Sequence, residues 1–195
     1  MKLALLRHGP TAWNAEHRIQ GSIDTPLSAE GIALMSGLLV PEDFADARVY
    51  CSPKLRARQT AECLSLADPI FDARLVEQNW GDWEGMTRTE MLARDGADAF
   101  EKAGAAVAFR PPNGESTGEV HARVASFFVA VAAKNEDAIA VAHAGVLRAA
   151  YALSTGWDLS APYPSDLDLK AVLVLNLAAD GSPSLAALNV PLRAR

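Results

Sequence analysis

Arginine, histidine and glycine stand together at Arg7, His8 and Gly9, directly behind four apolar residues, and an amide, Asn14, follows shortly after. A fixed cation beside an imidazole forms the start of an anion site that also holds a nucleophile or a base. Three further pieces carry polar residues of matching kinds. They are Ser52-Pro53-Lys54-Leu55-Arg56-Ala57-Arg58, then Glu77 leading into Trp80-Gly81-Asp82-Trp83-Glu84-Gly85, and finally His143-Ala144-Gly145. Such a set suits phosphoryl transfer, which needs a nucleophile, neutralisation of the phosphoryl oxygens and a proton for the leaving alcohol. An imidazole attacks phosphorus only while one ring nitrogen is unprotonated. Its free pKa is about 6.5, and nearby cations help to keep it neutral.

These pieces are far apart along the chain, so regular elements must bring them together. Leu3 to Leu6 reads as a short strand buried on both faces, which places Arg7 and His8 at its carboxyl end. In an open α/β sheet, ligands bind outside the carboxyl ends of the strands. Ser28 opens a helix with Ile32, Met35 and Leu39, joined by Leu34 and Leu38, as its apolar face, and Pro41 stops it. Val49 to Cys51 is a strand. Ser52-Pro53 is expected to begin the next helix, with proline at the favoured first position, and Leu55, Ala61 and Leu64 as core contacts. Pro69 to Phe71 reads as a short strand.

Thr87-Arg88-Thr89-Glu90 and Ser116-Thr117-Gly118-Glu119 have the form of capping boxes. Behind the second, Val120, Val124, Phe127, Phe128 and Val131 outline a strongly amphipathic helix. The stretch from Asp95 to Gly114 reads as partly helical and irregular. Ala138 to Ala142 is a buried strand, followed by a helix from about Gly145 to Ser154. Asp180-Gly181 joins two terminal strands as a hairpin. The alternation predicts an α/β three-layer sandwich. It has a mostly parallel central sheet, an antiparallel edge strand and helices on both faces. No Pro/Gly/Ser linker divides residues 1–195, so one domain is expected.

Composition narrows the classes of function. The chain has 195 residues, half of them hydrophobic, with a formal net charge of -6. That balance argues against general affinity for nucleic acid or membrane surfaces. No apolar run is long enough to cross a bilayer. Met1-Lys2 leads straight into the first strand, which leaves no room for a signal peptide and makes the cytoplasm the expected compartment. Cys51 and Cys63 lack metal-ligand spacing and read as small apolar residues.

The chain resembles the histidine phosphatase superfamily, also called the phosphoglycerate mutase-like family. The resemblance rests on Arg7-His8-Gly9, Asp24-Thr25-Pro26-Leu27-Ser28 with Gly31, Ser52-Pro53-x-x-Arg56-Ala57, Gly81-Asp82-Trp83-Glu84-Gly85, Gly114-Glu115-Ser116 and His143-x-Gly145, all in the family's order. It implies His8 as the nucleophile that forms a phosphohistidine, and Glu77 as the proton donor. It further implies that Arg7, Arg56 and Asn14 hold phosphate oxygens, and that His143 stabilises the transferring group as a donor. Glu84 is read as structural, and Arg58 and Lys54 as solvated. The sequence departs from the family pattern at Pro10, where an acidic residue is common, and at Ala144, where glycine is usual.

Gln20 and Gly21, with His17 and Arg18, fall in a loop that could touch substrate. His121 is expected to be a partly exposed helical side chain. The segment from Asp95 to Glu115 is the candidate for substrate choice, with Lys102 and Arg110 as anion contacts. The expected partner is a small phosphorylated metabolite, with no cofactor and no metal. Metal binding by His8 and His143 is disfavoured because the arginines repel a cation. Hydrolysis is favoured over mutase chemistry, since the mid-chain excursion is compact and only Asn189 to Arg195 follows the last strand. A non-catalytic phospho-ligand-binding module is a third reading, and it would be expected to lose the nucleophile. The sequence leaves the oligomeric state open.

Overall fold

A computed structural model describes residues 1–159 and 164–195. In chain order the elements are β1 (Lys2–Arg7), α1 (Ala12–Ala15), α2 (Ala29–Ser36), β2 (Leu38–Leu39), β3 (Arg48–Cys51), α3 (Leu55–Cys63), β4 (Ile70–Phe71), α4 (Arg88–Asp95) and α5 (Ala99–Lys102). They continue as α6 (Thr117–Ala132), β5 (Ala138–Ala142), α7 (Ala144–Thr155), β6 (Val172–Leu177), β7 (Pro183–Val190) and β8 (Arg193–Ala194). Among the described residues, six strands form one sheet in the order β4-β3-β5-β1-β6-β7. The first four run parallel, while β6 is antiparallel to β1 and β7 to β6. This is the mostly parallel sheet with an antiparallel edge that the alternation predicts.

The central strands are apolar throughout because both of their faces are covered. On one face, Leu3, Leu5, Ala138, Ala140 and Leu173 pack under α6 and α7, through Val124, Phe127, Phe128, Val146 and Leu147. On the other, Ala4, Leu6, Ile139, Val141 and Val174 pack under α2 and α3, through Met35, Ala57 and Ala61. The period-two alternation of strand side chains thus divides one sheet between two helical layers. A satellite cluster of Trp83, Met91 and Ala99, with Trp80, Phe100 and Phe109 against it, lies under α4 and α5. No helix among the described residues is long and apolar enough to cross a membrane.

Both capping boxes form as the sequence indicates, with reciprocal bonds at Thr87/Glu90 and Ser116/Glu119. Two boundaries differ from the sequence reading. The helix opened by Ser28 ends at Ser36, and Leu38–Leu39 pair instead with Arg193–Ala194 as a small antiparallel sheet. Ile32 and Leu34 are consequently exposed, and of the expected apolar face only Met35 is buried. The second difference concerns α3, which begins at Leu55 rather than at Ser52-Pro53. Asp24 reaches across to accept the Leu55 N–H at 2.7 Å, so the helix is capped from another segment and Ser52 is released to face inward.

The core prediction is direct. Phe128→Ala should cost about 3–5 kcal/mol, because it empties a fully buried site. Val129→Ala, on the exposed side of α6, should stay within about 0.5 kcal/mol. Urea unfolding monitored by circular dichroism distinguishes them, and similar losses at both positions would contradict the packing described.

Candidate active site

Three adjacent parallel strands end in step. β5 lies between β1 and β3, and its last two carbonyls receive the residues that leave its neighbours. His8 N–H donates to Ala142 O at 3.0 Å, and Ser52 N–H donates to Val141 O at 2.9 Å. His143 follows β5 itself and opens α7. Thus His8, Ser52 and His143 occupy one level at the carboxyl edge of the sheet, with the two imidazole centres 5.1 Å apart.

His8 is buried, and its Nδ1 lies 2.8 Å from Gly9 O. A carbonyl only accepts, so Nδ1 carries the proton and Nε2 keeps the lone pair. Its pKa is pushed down to about 3, first by burial, then by the charges of Arg7 and Arg56, against the Gly9 carbonyl. The sequence reading credited the cations; burial is the larger cause. His143 is fully buried and held well below the usual imidazole range, again chiefly by burial, with His8 and Arg56 next. Its Nε2 lies 2.8 Å from Ser52 Oγ.

Arg56 is 0% exposed, a cation with no access to water. Its terminal nitrogens donate to Gly21 O at 2.9 Å and Ile23 O at 3.0 Å, while its Nε is buried without a hydrogen bond. Burial lowers its pKa, and the carboxylates of Glu77, Asp24 and Glu84 act in the opposite sense. Arg58, two positions on, points outward over the Phe71 ring, as helical spacing requires. Lys54 is tied to the Ser22 carbonyl rather than simply solvated.

Glu77 is buried, and its Oε1 accepts the N–H of Gln78 at 2.8 Å and of Gly145, at the start of α7, at 3.0 Å. A methyl group on Gly145 would lie 2.3 Å from that oxygen, so any larger residue at this position would displace the Glu77 carboxylate. Ala144, the departure from the family pattern, is accommodated as the first residue of α7. Asn14 accepts from the Thr11 N–H at 2.9 Å and the Thr11 hydroxyl at 3.0 Å through Oδ1, which commits its oxygen and leaves its NH2 as the remaining bonding end. Glu84 holds the loop of Ser22 and Ile23 and also takes the Trp80 N–H, a bracing arrangement. Pro10 is exposed, and its carbonyl receives the Ser28 N–H that precedes α2.

A cavity of about 600 Å³ opens over this level. Arg7, His8, Asn14, Gln20, Glu77 and Gly145 line it, with Trp80, Phe109, Thr117, His121 and Arg148 farther along its wall. Gln20 lies on the wall as expected, whereas Gly21 is turned away with its carbonyl on Arg56. His17 lines a second, more apolar cavity that shares Arg7, His8 and Asn14 with the first. Lys102 pairs with Asp98, and Arg110 with Glu119 and Gly114 O, so neither lines the main cavity. From their segment the wall instead receives Ala105, Ala106 and Phe109. Sequence reasoning missed His121, which joins Thr117 and Val120 there. Their spacing, three and four apart on one face of α6, is the signal that identifies them. It also missed Arg123, whose two-pronged bond to Glu115 braces the strand-end loop through Asn79 and Gln78.

A family model described as histidine phosphatase superfamily (branch 1) matches residues 3–191. A curated relative from Escherichia coli O1:K1 / APEC, named "Probable phosphoglycerate mutase GpmB", is 35% identical over 128 residues; the match covers 64% of this chain and 60% of the relative. Among solved structures, YhfR of Bacillus stearothermophilus superimposes with a TM-score of 0.81 at 29% identity, covering 97% of this chain and 96% of its own. A mycobacterial glucosyl-3-phosphoglycerate phosphatase, solved with VO3, gives 0.80 at 25% identity, over 97% and 98% of the two chains. The alpha-ribazole phosphatase of Shigella flexneri gives 0.75 at 25% identity, over 97% and 96%.

The burial of His8 has a consequence for stability. Its folded pKa is near 3, while the unfolded value is near 6.5, so between those values the unfolded chain binds more protons. Stability should therefore fall as pH drops through that window, with His143 acting in the same direction. In urea titrations between about pH 7 and about pH 5, His8→Asn should show a shallower loss than the native chain. Equal slopes would exclude a buried neutral His8.

Proposed function

This chain belongs to the histidine phosphatase superfamily, branch 1, and from that premise we propose that it hydrolyses a small phosphomonoester through a phosphohistidine on His8. The observation that carries the reading is the state of His8: Nδ1–H is fixed by Gly9 O, leaving Nε2 with its lone pair on a buried ring that the charges of Arg7 and Arg56 help to keep neutral. Nε2 attacks phosphorus, an N–P bond forms and the ester P–O bond breaks. Arg7, Arg56 and the Asn14 amide receive the phosphoryl oxygens, which also satisfies the bare Nε of Arg56. Glu77 has Oε1 committed to two backbone N–H groups, so Oε2 handles the proton, first to the leaving oxygen and then from the incoming water. Water then cleaves the N–P bond and releases inorganic phosphate.

Hydrolysis is preferred to phosphoryl migration. Two of the solved structures that superimpose over 97% of this chain are named as phosphatases. Trp80 and Phe109 give the wall an apolar shelf for the alcohol portion. The intact set of His8, Arg7, Arg56, Glu77 and His143 supports an enzyme over a binding module, and no step of this scheme requires a metal.

Three outcomes test the reading. p-Nitrophenyl phosphate should be hydrolysed by the native chain, with EDTA present, and not by His8→Ala. With 3-phosphoglycerate and a trace of 2,3-bisphosphoglycerate, phosphate release should outrun isomerisation; the reverse would make the chain a mutase. Gly145→Ala, which pushes the Glu77 carboxylate out of place, should lower kcat about 100-fold on an alkyl phosphate, within the range of general-acid contributions. The loss should be smaller on p-nitrophenyl phosphate, whose leaving group needs little protonation. Equal losses on both would remove Glu77 from proton transfer.

A further inference from the structure

His143 has two buried ring nitrogens in unlike situations. Nε2 is 2.8 Å from Ser52 Oγ, and Nδ1 is buried without a hydrogen bond. A neutral imidazole has one N–H and one lone pair, and the partner of one nitrogen decides which is which. That partner, Ser52, is itself fully buried. Its hydroxyl oxygen accepts the Lys54 N–H at 3.4 Å, at the turn where α3 fails to start. Among the described residues its own proton has no acceptor other than His143 Nε2, and a buried O–H left unpaired is costly.

The polarity of the chain is therefore Lys54 N–H to Ser52 Oγ, then Ser52 O–H to His143 Nε2. We propose that Ser52 is a positioning residue that locks His143 in the Nδ1–H tautomer, so that a neutral N–H donor faces the phosphoryl group carried by His8. The two rings then hold their Nδ1 protons for opposite purposes: Gly9 O occupies that of His8 and frees a lone pair, while Ser52 occupies Nε2 of His143 and frees a donor. Burial keeps both rings uncharged, so neither role depends on an imidazolium. The catalytic use of the donor rests on the phosphohistidine reading above; the tautomer does not.

Long-range proton–nitrogen NMR correlation on the uniformly labelled native chain near neutral pH, assigned with His143→Ala, reads the tautomer directly. A protonated Nδ1 and an unprotonated Nε2 are expected, and the reverse pattern overturns the proposal whatever the activity. In Ser52→Ala the pattern should shift towards Nε2–H. Its kcat on p-nitrophenyl phosphate should fall about 10- to 100-fold, the usual scale for a group that orients a functional histidine. The loss should lie in kcat more than in KM, and Ser52→Thr, which retains the hydroxyl, should recover most of it. In a His143→Ala background Ser52→Ala should cost nothing further, whereas an undiminished second loss would assign Ser52 a separate role. A native chain with the expected tautomer but no turnover would defeat the hydrolase reading and leave the tautomer assignment intact. Should the variants not fold, the native spectrum alone decides.

Discussion

The parallel register of β1, β5 and β3 is the constraint on which the site depends. Arg7 pairs with Ala142, and Cys51 with Val141, so all three strands stop within a residue of each other. Each strand then delivers one polar side chain to a common level. Because β1 and β5 are covered on both faces, the pairing is held by packing as well as by the ladder. A one-residue slip would exchange the layer beneath α6 and α7 for the layer beneath α2 and α3. The spacing between His8 and His143 is thus a property of the sheet, not of a loop. The turn after β1 is fastened in turn by the Gly9 N–H on Thr60, whose hydroxyl donates back to Arg56 O.

Dryness follows from the same packing, and it sets the electrostatics. Removing water disfavours the charged form of both histidines and would destabilise a lone guanidinium far more. Arg56 remains because two backbone carbonyls accept from it and three carboxylates lie within electrostatic range. The arrangement is incomplete at its Nε, which is buried without a hydrogen bond. A site built this way trades stability for readiness: its cation and its neutral bases are oriented before any ligand arrives, so little reorganisation is left for the reaction.

Much of this was legible where one local rule dominated. Leu3 to Leu6 and Ala138 to Ala142 are apolar without interruption, so their burial was plain. Ser116 and Glu119 announced α6, and the five apolar residues behind them are all buried. The strand-end positions of His8 and His143 followed from those elements. Legibility failed where a distant partner outweighed local preference. Leu38 and Leu39 continue a helical pattern, but residues more than 150 positions away pair with them as strand. Ser52-Pro53 is a good helix start, yet His143 claims the serine hydroxyl and Asp24 caps the helix one turn later. Lys102 and Arg110 could be recognised as cations, but their ion pairs with Asp98 and Glu119 depend on side-chain direction, which sequence spacing only partly fixes.

The division between chemistry and recognition follows the same line. Arg7, His8 and His143 sit at the ends of buried strands, Arg56 in the first turn of α3, and Glu77 against the first turn of α7. Farther out the wall is made differently. Phe109 stacks on Phe100 and meets Trp80 and Trp83 edge-on or tilted, and this aromatic cluster packs against α4 and α5, outside the main sheet. It is joined to the His8 end of the cavity through the loop at Asn79, whose carbonyl accepts the Glu115 N–H and whose own N–H donates to the Glu115 carboxylate that Arg123 braces. A change of side chain at Phe109, Ala105 or His121 would therefore reshape that wall of the cavity without moving a strand end. The fold can vary the cavity wall while holding constant the groups at the strand ends.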